Sequence, residues 1–369
     1  KKQKSVSELE TVAACPLKWF FRYGLGLAER SELTMEPKDL GDLYHRTLRA
    51  FFVQVLTHRL NWPDCTDDQL NQTLDAAIEA CGKIVREEMA RQAPETSVVL
   101  QNMRRNLREL VQFHRDFARR NQLRPIALEL GFGAISQSHS QNDPDAPVLP
   151  AYSVELDDRI SVELRGKIDR VDANGDGAAM VIDYKLNEKT FAAADLEAGL
   201  SLQLITYLLA LKGQKPVGQK NPLQPIGAFY QVLSPPIQLD KERSFKMRGL
   251  FDNQLYTSID PVNSGQKSTF VALARKIDGA FYKAGHDGIN NPTFEAVLKF
   301  TRNKLAELAA LSCSGQIAPD PYRQGSDTPC KFCDYQSACP FDRLRGRFRK
   351  IQTNNKTALA KITGGENGS

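Results

Sequence analysis

No stretch of this sequence strings together the roughly 20 apolar residues that a bilayer-spanning helix needs. Its start, KKQKSVSELE, has no apolar segment of secretory type behind the lysines. The expectation is a cytoplasmic protein that does not enter a membrane. Nor is there a complete nucleotide loop: NSGQKST near 265 lacks the Gly-Lys pair and the upstream glycine, and reads as an ordinary loop. A nucleotide-driven motor therefore has neither motif nor room here. Histidine is scarce, at 5 residues, and His58, His114, His139 and His286 have no partner pattern, which marks them as surface or core residues. Internal repeats are lacking too. No methionine opens the chain, which reads as processed or as a segment of something longer.

A strong charge of one sign is also missing. The net charge of +5 over 369 residues says little by itself about nucleic acid, and 41% hydrophobic with 25% charged residues is ordinary for a soluble chain of one large domain or two. The basic residues do cluster: Arg104, Arg105 and Arg108; Arg119, Arg120 and Arg124; and Arg343, Arg345, Arg347, Arg349 and Lys350. Solvated helix faces explain such runs more often than phosphate contact does.

Seven cysteines are present, unevenly placed. Cys65, Cys81 and Cys313 are isolated, whereas Cys15 lies in CPLKWFF and Cys330, Cys333 and Cys339 lie in CKFCDYQSACPF. A C-x2-C pair in a cytosolic chain points to metal or redox chemistry rather than a structural disulfide.

Periodicity orders the rest. Apolar residues at helical spacing run from Leu9 to Phe20, with Ser5 or Ser7 as the cap, and again through GDLYHRTLRAFFVQVL, which carries His45 in its first turns. Residues 67 to 121 read as two or three amphipathic helices forming a lobe. Strand patterns follow: PIALELGFGAI, a polar loop over 136–147, YSVEL, ISVELRGKIDRVDA and AAMVIDYKL, which predict an antiparallel meander. DLEAGLSLQLITYLLALKG predicts one long apolar helix, IGAFYQVL another strand, and residues 292 to 312 a further helix. Residues 352–369 are polar and read as a disordered tail. DANGDGAAMVID imitates a calcium loop, but strands rather than helices flank it, so a tight turn is the better reading.

Polar residues interrupt these structured segments at His45, Asp169, Asp183, Lys185, Gln203 and Tyr207. In VIDYK, strand alternation puts Asp183 and Lys185 on one face and Tyr184 on the other. Asp169 and Asp183 lie on adjacent strands of one predicted hairpin, and two carboxylates that close repel unless a cation lies between them. Magnesium or manganese is the oxygen-seeking guest such a pair suits. Lys185 could then orient a nucleophile as a catalytic base or steady developing charge, the equipment for phosphodiester hydrolysis. Gln203 and Tyr207, four apart, share a helix face. A surface Asp-Lys pair on a plain hairpin has about even odds on spacing alone.

GKIDRVD, VIDYK and QLITY, in that order, resemble the core of the PD-(D/E)XK nuclease superfamily, and GDLYH resembles the Gly-x-x-x-His element of its RecB-like branch. One cysteine before this core and three after it are similar to an iron-sulfur-clamped subgroup that includes AddB-type helicase-nuclease subunits; KMRGLF is another shared segment. The resemblance covers about residues 5 to 345. It implies an α/β, restriction-endonuclease-like mixed sheet flanked by helices, with an added helical lobe at about 60–122. Residues 1–351 would form the nuclease domain, with a cluster-binding segment at 313–345.

The resemblance further implies that His45, Asp169 and Asp183 bind the metal, that Lys185 is the catalytic lysine, and that Gln203 and Tyr207 support it. Glu129 would be an additional acid, with Glu155 or Glu163 as alternatives. Cys15, Cys330, Cys333 and Cys339 would hold a [4Fe-4S] cluster that joins the chain ends; thiolate spacing suits zinc as well. The implied activity is metal-dependent cleavage of DNA, on single-stranded ends, in break processing and recombination, with an AddA-type helicase-nuclease as partner. Two other readings stand beside it: a non-catalytic DNA-binding scaffold, and a stand-alone nuclease similar to CRISPR adaptation enzymes or acting on RNA. AddB-type proteins are much longer, so the chain is either an excised nuclease domain or a free-standing relative.

Overall fold

Ser5 ends a short strand, β1 (Lys2–Ser5), and its hydroxyl accepts the N–H of Glu8 as α1 (Val6–Ala14) begins. Cys15 precedes a proline and is held extended at φ −167°, ψ 120°, so the helix breaks there and resumes as α2 (Pro16–Trp19), followed by a π-helical turn over Phe20–Gly24. The single helix expected over this stretch is thus split at the cysteine. Our computed structural model describes residues 2–28, 37–58, 60–89, 95–133, 148–156, 160–216, 219–235 and 244–364. The polar loop at 136–147, with His139, lies outside the described residues.

Three helices come next: α3 (Pro37–Thr57), α4 (Asp67–Met89) and α5 (Glu95–Ala118). The sheet begins with β2 (Arg124–Phe132), β3 (Val148–Leu149) and β4 (Tyr152–Glu155), then the long β5 (Ser161–Ala173) and β6 (Ala178–Lys185). Between β5 and β6, Asn174 Oδ1 accepts the N–H groups of Asp176 and Ala178, and Gly177 takes φ +93°, so the calcium-like stretch is a tight turn.

After β6 come α6 (Ala193–Glu197) and α7 (Gln203–Leu211), where the sequence predicts one helix. Gly199, at φ +78°, ends the first, a conformation costly for other residues. The second starts afresh because the Glu10 carboxylate, from α1, accepts the N–H of Leu202 at 2.7 Å and of Gln203 at 3.0 Å. A cap supplied across 192 residues of sequence leaves no local signal.

Then follow β7 (Gln224–Val232), β8 (Arg248–Asp252), α8 (Tyr256–Ile259), β9 (Gly288–Ile289), α9 (Asn291–Cys313), β10 (Tyr322–Arg323), β11 (Arg349–Lys350) and α10 (Asn355–Ile362). In the RGLF segment, a Cβ on Gly249 would meet the Ala228 carbonyl oxygen at 2.0 Å, so β8 can lie against β7 only with glycine there. The helix α10 corrects the expectation of a disordered tail over 352–369. Asn354 caps it, and Ala358 and Ile362 are buried in the core; residues 365–369 lie outside the described ones.

The sheet runs β3-β2-β5-β6-β7-β8-β9, with β1 and β4 paired to the first half of β5. The β2-β5-β6 hairpins are antiparallel as expected, but β7 joins β6 in parallel, which makes the sheet mixed. Alternation separates two cores. Val171, Val181, Ala228, Tyr230 and Leu250 pack with α1, α7, α9 and α10 on one face. Met180, Ile182, Tyr184, Phe229 and Phe251 pack on the other with α3, α4 and α5, so the helices of the expected lobe also cover the sheet. No helix among the described residues is long and apolar enough to cross a membrane.

Candidate active site

The register Arg170↔Ile182 brings Asp169 and Asp183 side by side at the end of the hairpin, on the face opposite Tyr184. Asp169 Oδ2 accepts the Tyr184 N–H at 2.8 Å, which fixes one oxygen and leaves the other to the site. His45 reaches in from α3, with Nδ1 3.4 Å from Asp169 Oδ1 and 3.8 Å from Glu129 Oε1. Its ring meets Tyr184 edge-on at 5.8 Å. Ligand atoms of His45, Glu129 and Asp169 all lie within 4.8 Å of one another.

Glu129 is the single non-glycine residue at positive φ (+51°) among the described residues. Such a conformation is tolerated where the surroundings over-determine it, and here it sits in a strand beside the site. Of the three candidate acids, Glu129 is the one placed against His45 and Asp169; Glu155 is exposed on β4, and Glu163 faces Gln3. Lys167 pairs with the second Glu129 oxygen, a contact the sequence reading missed.

Asp183 stands outside that trio. It is 1% exposed, and its Oδ2 lies 2.5 Å from Lys185 Nζ. Burial, aided by the charge of Asp169 and opposed by Lys185, pushes the Asp183 carboxyl up to about 6. For Lys185, burial works against the charge, but Asp183, Asp169 and Glu10 outweigh it and raise the ammonium above its ordinary value. Lys185 is therefore a cation at neutral pH, which suits charge stabilisation better than proton abstraction. Burial also opposes the charge on His45, yet Asp169 and Glu129 push the imidazole up to about 10. With burial raising and His45 and Lys167 lowering it, Glu129 ends below its usual value. Glu129 and Asp169 together thus hold a positive charge between them, here the proton on His45.

On α7, Gln203 donates from Nε2 to Tyr207 Oη at 2.5 Å, and the Tyr207 ring meets Phe132 edge-on. Burial, with Asp183 and Asp169 nearby, raises the Tyr207 phenol and keeps it neutral. Sequence reasoning missed Glu10, which anchors this helix, because a lone glutamate inside α1 has no motif. It also missed Lys189, which lies 4.7 Å from the centre of the Tyr230 ring.

Behind the site, on the other face, Arg170 and Asp172 form a buried bidentate pair at 2.6 Å for both contacts, with the guanidinium 4.2 Å from the Phe52 ring centre. They back Tyr184, and through it His45.

The four motif cysteines line one pocket whose other walls include Leu17, Phe21, Pro319 and Phe341. The extended Cys15 faces it from the N-terminal side. Burial raises the Cys330 thiol, and neighbouring Cys15, Cys333 and Cys339 raise it further, as expected of thiolates that repel without a cation. Two bonds tie the ends together: Tyr335 Oη donates to the Leu27 carbonyl at 2.8 Å, and Arg349 donates to the Ala13 carbonyl. Cys65, Cys81 and Cys313 lie elsewhere as free thiols.

Most of the arginine runs are engaged within the fold. Arg104 and Arg108 pair with Asp75, Arg119 with Asp116, Arg120 with Asp260, and Arg349 with Asp320. Arg124 donates to three backbone carbonyls.

A sequence model described as the PD-(D/E)XK nuclease superfamily matches residues 3–340. Among curated proteins, an ATP-dependent helicase/deoxyribonuclease component of Desulforamulus reducens is 30% identical over 92% of this chain and 30% of its own length. Proteins of the same description from Acetivibrio thermocellus and Bacillus subtilis are 29% and 26% identical, again over 92% of this chain. The chain thus spans about 30% of the length of the curated relatives it matches.

Proposed function

That the chain belongs to the PD-(D/E)XK nuclease superfamily is the premise from which we propose that it hydrolyses DNA phosphodiesters with a divalent metal, acting on single-stranded ends in break processing and recombination. The observation that carries this reading is the convergence of His45, Glu129 and Asp169 within 4.8 Å, beside the Asp183–Lys185 pair. The two carboxylates are hard oxygen donors suited to magnesium or manganese, and His45, on giving up its proton to the ion, would add a nitrogen donor, with the Asp183 carboxylate adjacent. When bound, such an ion polarises a phosphoryl oxygen and lowers the pKa of water.

The remaining work falls to the chain's own side chains. The Lys185 ammonium would donate to the oxygen on which negative charge develops, held at the right place by Asp183. Gln203 and Tyr207, neutral and mutually bonded, would hold the substrate or an attacking water beside that lysine. A scaffold without chemistry has no use for Asp183: burying a carboxylate next to Asp169 costs free energy that an apolar residue would avoid.

We further infer that the cysteine pocket takes a [4Fe-4S] cluster that joins the chain ends, with residues 313–345 as its C-terminal segment. Thiolate spacing suits zinc and iron-sulfur alike, and the likeness of one cysteine before the core and three after it to the iron-sulfur-clamped subgroup is what favours the cluster. The relatives are named as subunits of an ATP-dependent helicase/deoxyribonuclease, and by that likeness the partner of this chain would be an AddA-type helicase-nuclease subunit that feeds it a strand. The test is degradation of end-labelled single-stranded DNA in magnesium or manganese by oxygen-protected protein beside Lys185→Ala, with matched RNA as the control. Metal-dependent DNA cleavage lost in the variant supports the reading; a folded, metal-loaded protein that cuts neither DNA nor RNA overturns it.

A further inference from the structure

The site does not end at Asp183. The register continues across the sheet from Asp183 to Tyr230 on β7 and from Tyr230 to Arg248 on β8, all on one face. Two strand spacings put Arg248 about 10 Å from Asp183. Asp287 grips Arg248 through two contacts of 2.9 Å and also accepts the Gly249 N–H, which pins the segment 263–287 to β8.

That segment adds cations without matching acids. Lys267, in the NSGQKST loop, has Nζ 5.7 Å from the centre of the Tyr282 ring, and Lys276 Nζ lies 6.0 Å from the same ring. Lys246 is close enough to Arg248 and Lys267 that, after burial, their charges push its ammonium down, with Asp287 offsetting them in part. Among the described residues, Lys246, Lys267 and Lys276 form no ion pair. The nearby Asp278 is turned to its own loop, where it accepts the Ala280 N–H at 3.0 Å. Tyr282 is 40% exposed. By contrast, Arg104, Arg108 and Arg115 of α5 are held by acids, Asp75 and Asp67 among them.

We propose that Lys246, Lys267, Lys276 and Tyr282 form a track for single-stranded DNA that leads away from the metal site over β8. The proposal rests on the nuclease reading above and deepens it. Unpaired lysines meet the phosphates, and the exposed tyrosine face takes a base. Stacking of that kind needs an unpaired base and tolerates any sequence, whereas a duplex offers its backbone alone. The register from Asp183 through Tyr230 to Arg248 places the near end of this track on the site's face of the sheet, two strands away.

The test is binding, in buffer without divalent metal, of a labelled single strand of about 30 nucleotides, long enough to cover more than one binding site, and a duplex of equal length. The triple variant Lys246→Ala, Lys267→Ala, Lys276→Ala is compared with wild type, and Tyr282→Leu with Tyr282→Phe. The triple variant is expected to bind the single strand at least about tenfold more weakly, and its slope of log affinity against log salt should fall by about 2, three phosphates at ~0.7 each. Tyr282→Leu should lose several-fold and Tyr282→Phe should restore it. Unchanged affinity and slope in the triple variant overturn the track, as does an equal loss for the duplex. Cleavage by the wild type in magnesium is scored separately. A protein that binds through these residues but never cuts sinks the nuclease reading alone, and one that cuts while the triple variant binds normally sinks the track alone.

Discussion

The Lys185 ammonium lies 2.5 Å from the Asp183 carboxylate, and only the lysine reaches solvent, at 29% side-chain exposure against 1%. The acid is thereby the fixed element and the lysine the working one. Lys185→Ala is expected to lower single-turnover cleavage by about 10²–10³, the usual effect of removing one donor to developing charge. It also strips a buried carboxylate of its cation, so the melting temperature should fall. Cleavage that survives the substitution would remove Lys185 from the chemistry.

Glu10 acts at one remove from the reaction. Its Oε1 accepts two N–H groups at the start of α7, the helix that carries Gln203 and Tyr207. Glutamine can accept the same two bonds, whereas alanine cannot. Glu10→Ala should lower kcat by about tenfold or more with little change in KM, the signature of misplaced groups near the reacting atoms. Glu10→Gln should restore most of the rate. If glutamine behaves like alanine, the charge near Lys185 matters rather than the cap.

His114 is fully buried among Phe52, Phe113 and Tyr184, and among the described residues neither of its ring nitrogens has a hydrogen-bond partner. Burial first, and then the Arg170 charge, lower its pKa well below 6.5. Below the unfolded value the unfolded chain binds a proton that the folded one refuses. The stability is therefore fully present above ~6.5 and lost as pH falls, by up to about 1.4 kcal/mol per pH unit. His114→Phe should flatten that part of the stability profile, measured by urea unfolding between about pH 5 and 7. An identical slope in the variant would assign the acid sensitivity to other groups.

How much of this was legible in the sequence follows from where each signal is stored. Asp169, Asp183 and Lys185 could be read because strand alternation and a turn at Asn174–Gly177 are local. The break at Cys15 was legible in principle, since a following proline writes it beside the cysteine. The split of α6 from α7 was not, because Glu10 caps α7 from the far end of the chain. The same holds for Glu129: its positive φ and its meeting with His45 belong to the fold, so Glu155 and Glu163 looked equally good. The arginine runs show the converse limit. Their charge is visible in sequence, but the acids that hold Arg108 and Arg120, Asp75 and Asp260, come from distant segments.

The Arg170–Asp172 pair is a cost as well as a support. Both groups are buried, at 1% and 3% side-chain exposure, and they touch twice. Removing one partner leaves a buried unpaired charge, so Asp172→Ala should destabilise the fold by about 3–5 kcal/mol. Replacing both with apolar residues should cost much less. A double-mutant cycle by urea unfolding checks this, and additive losses would show that the two groups act independently.

The cysteine pocket joins segments more than 300 residues apart, and direct bonds already support the junction through Tyr335 to Leu27 and Arg349 to Ala13. If thiolate ligation adds to them, Cys339→Ser and Cys15→Ser should act alike, since each opens the same clamp from one end. Both should lose visible iron-thiolate absorption and become easier to cleave by protease on either side of the pocket. Protein isolated without oxygen should carry about four iron and four sulfide per chain. One zinc per chain and no sulfide would assign the pocket to a single ion instead. Cys65→Ser is the control that separates a clamp from general thiol loss: its sulfur donates to the Asn61 carbonyl on the other side of the sheet, away from the junction.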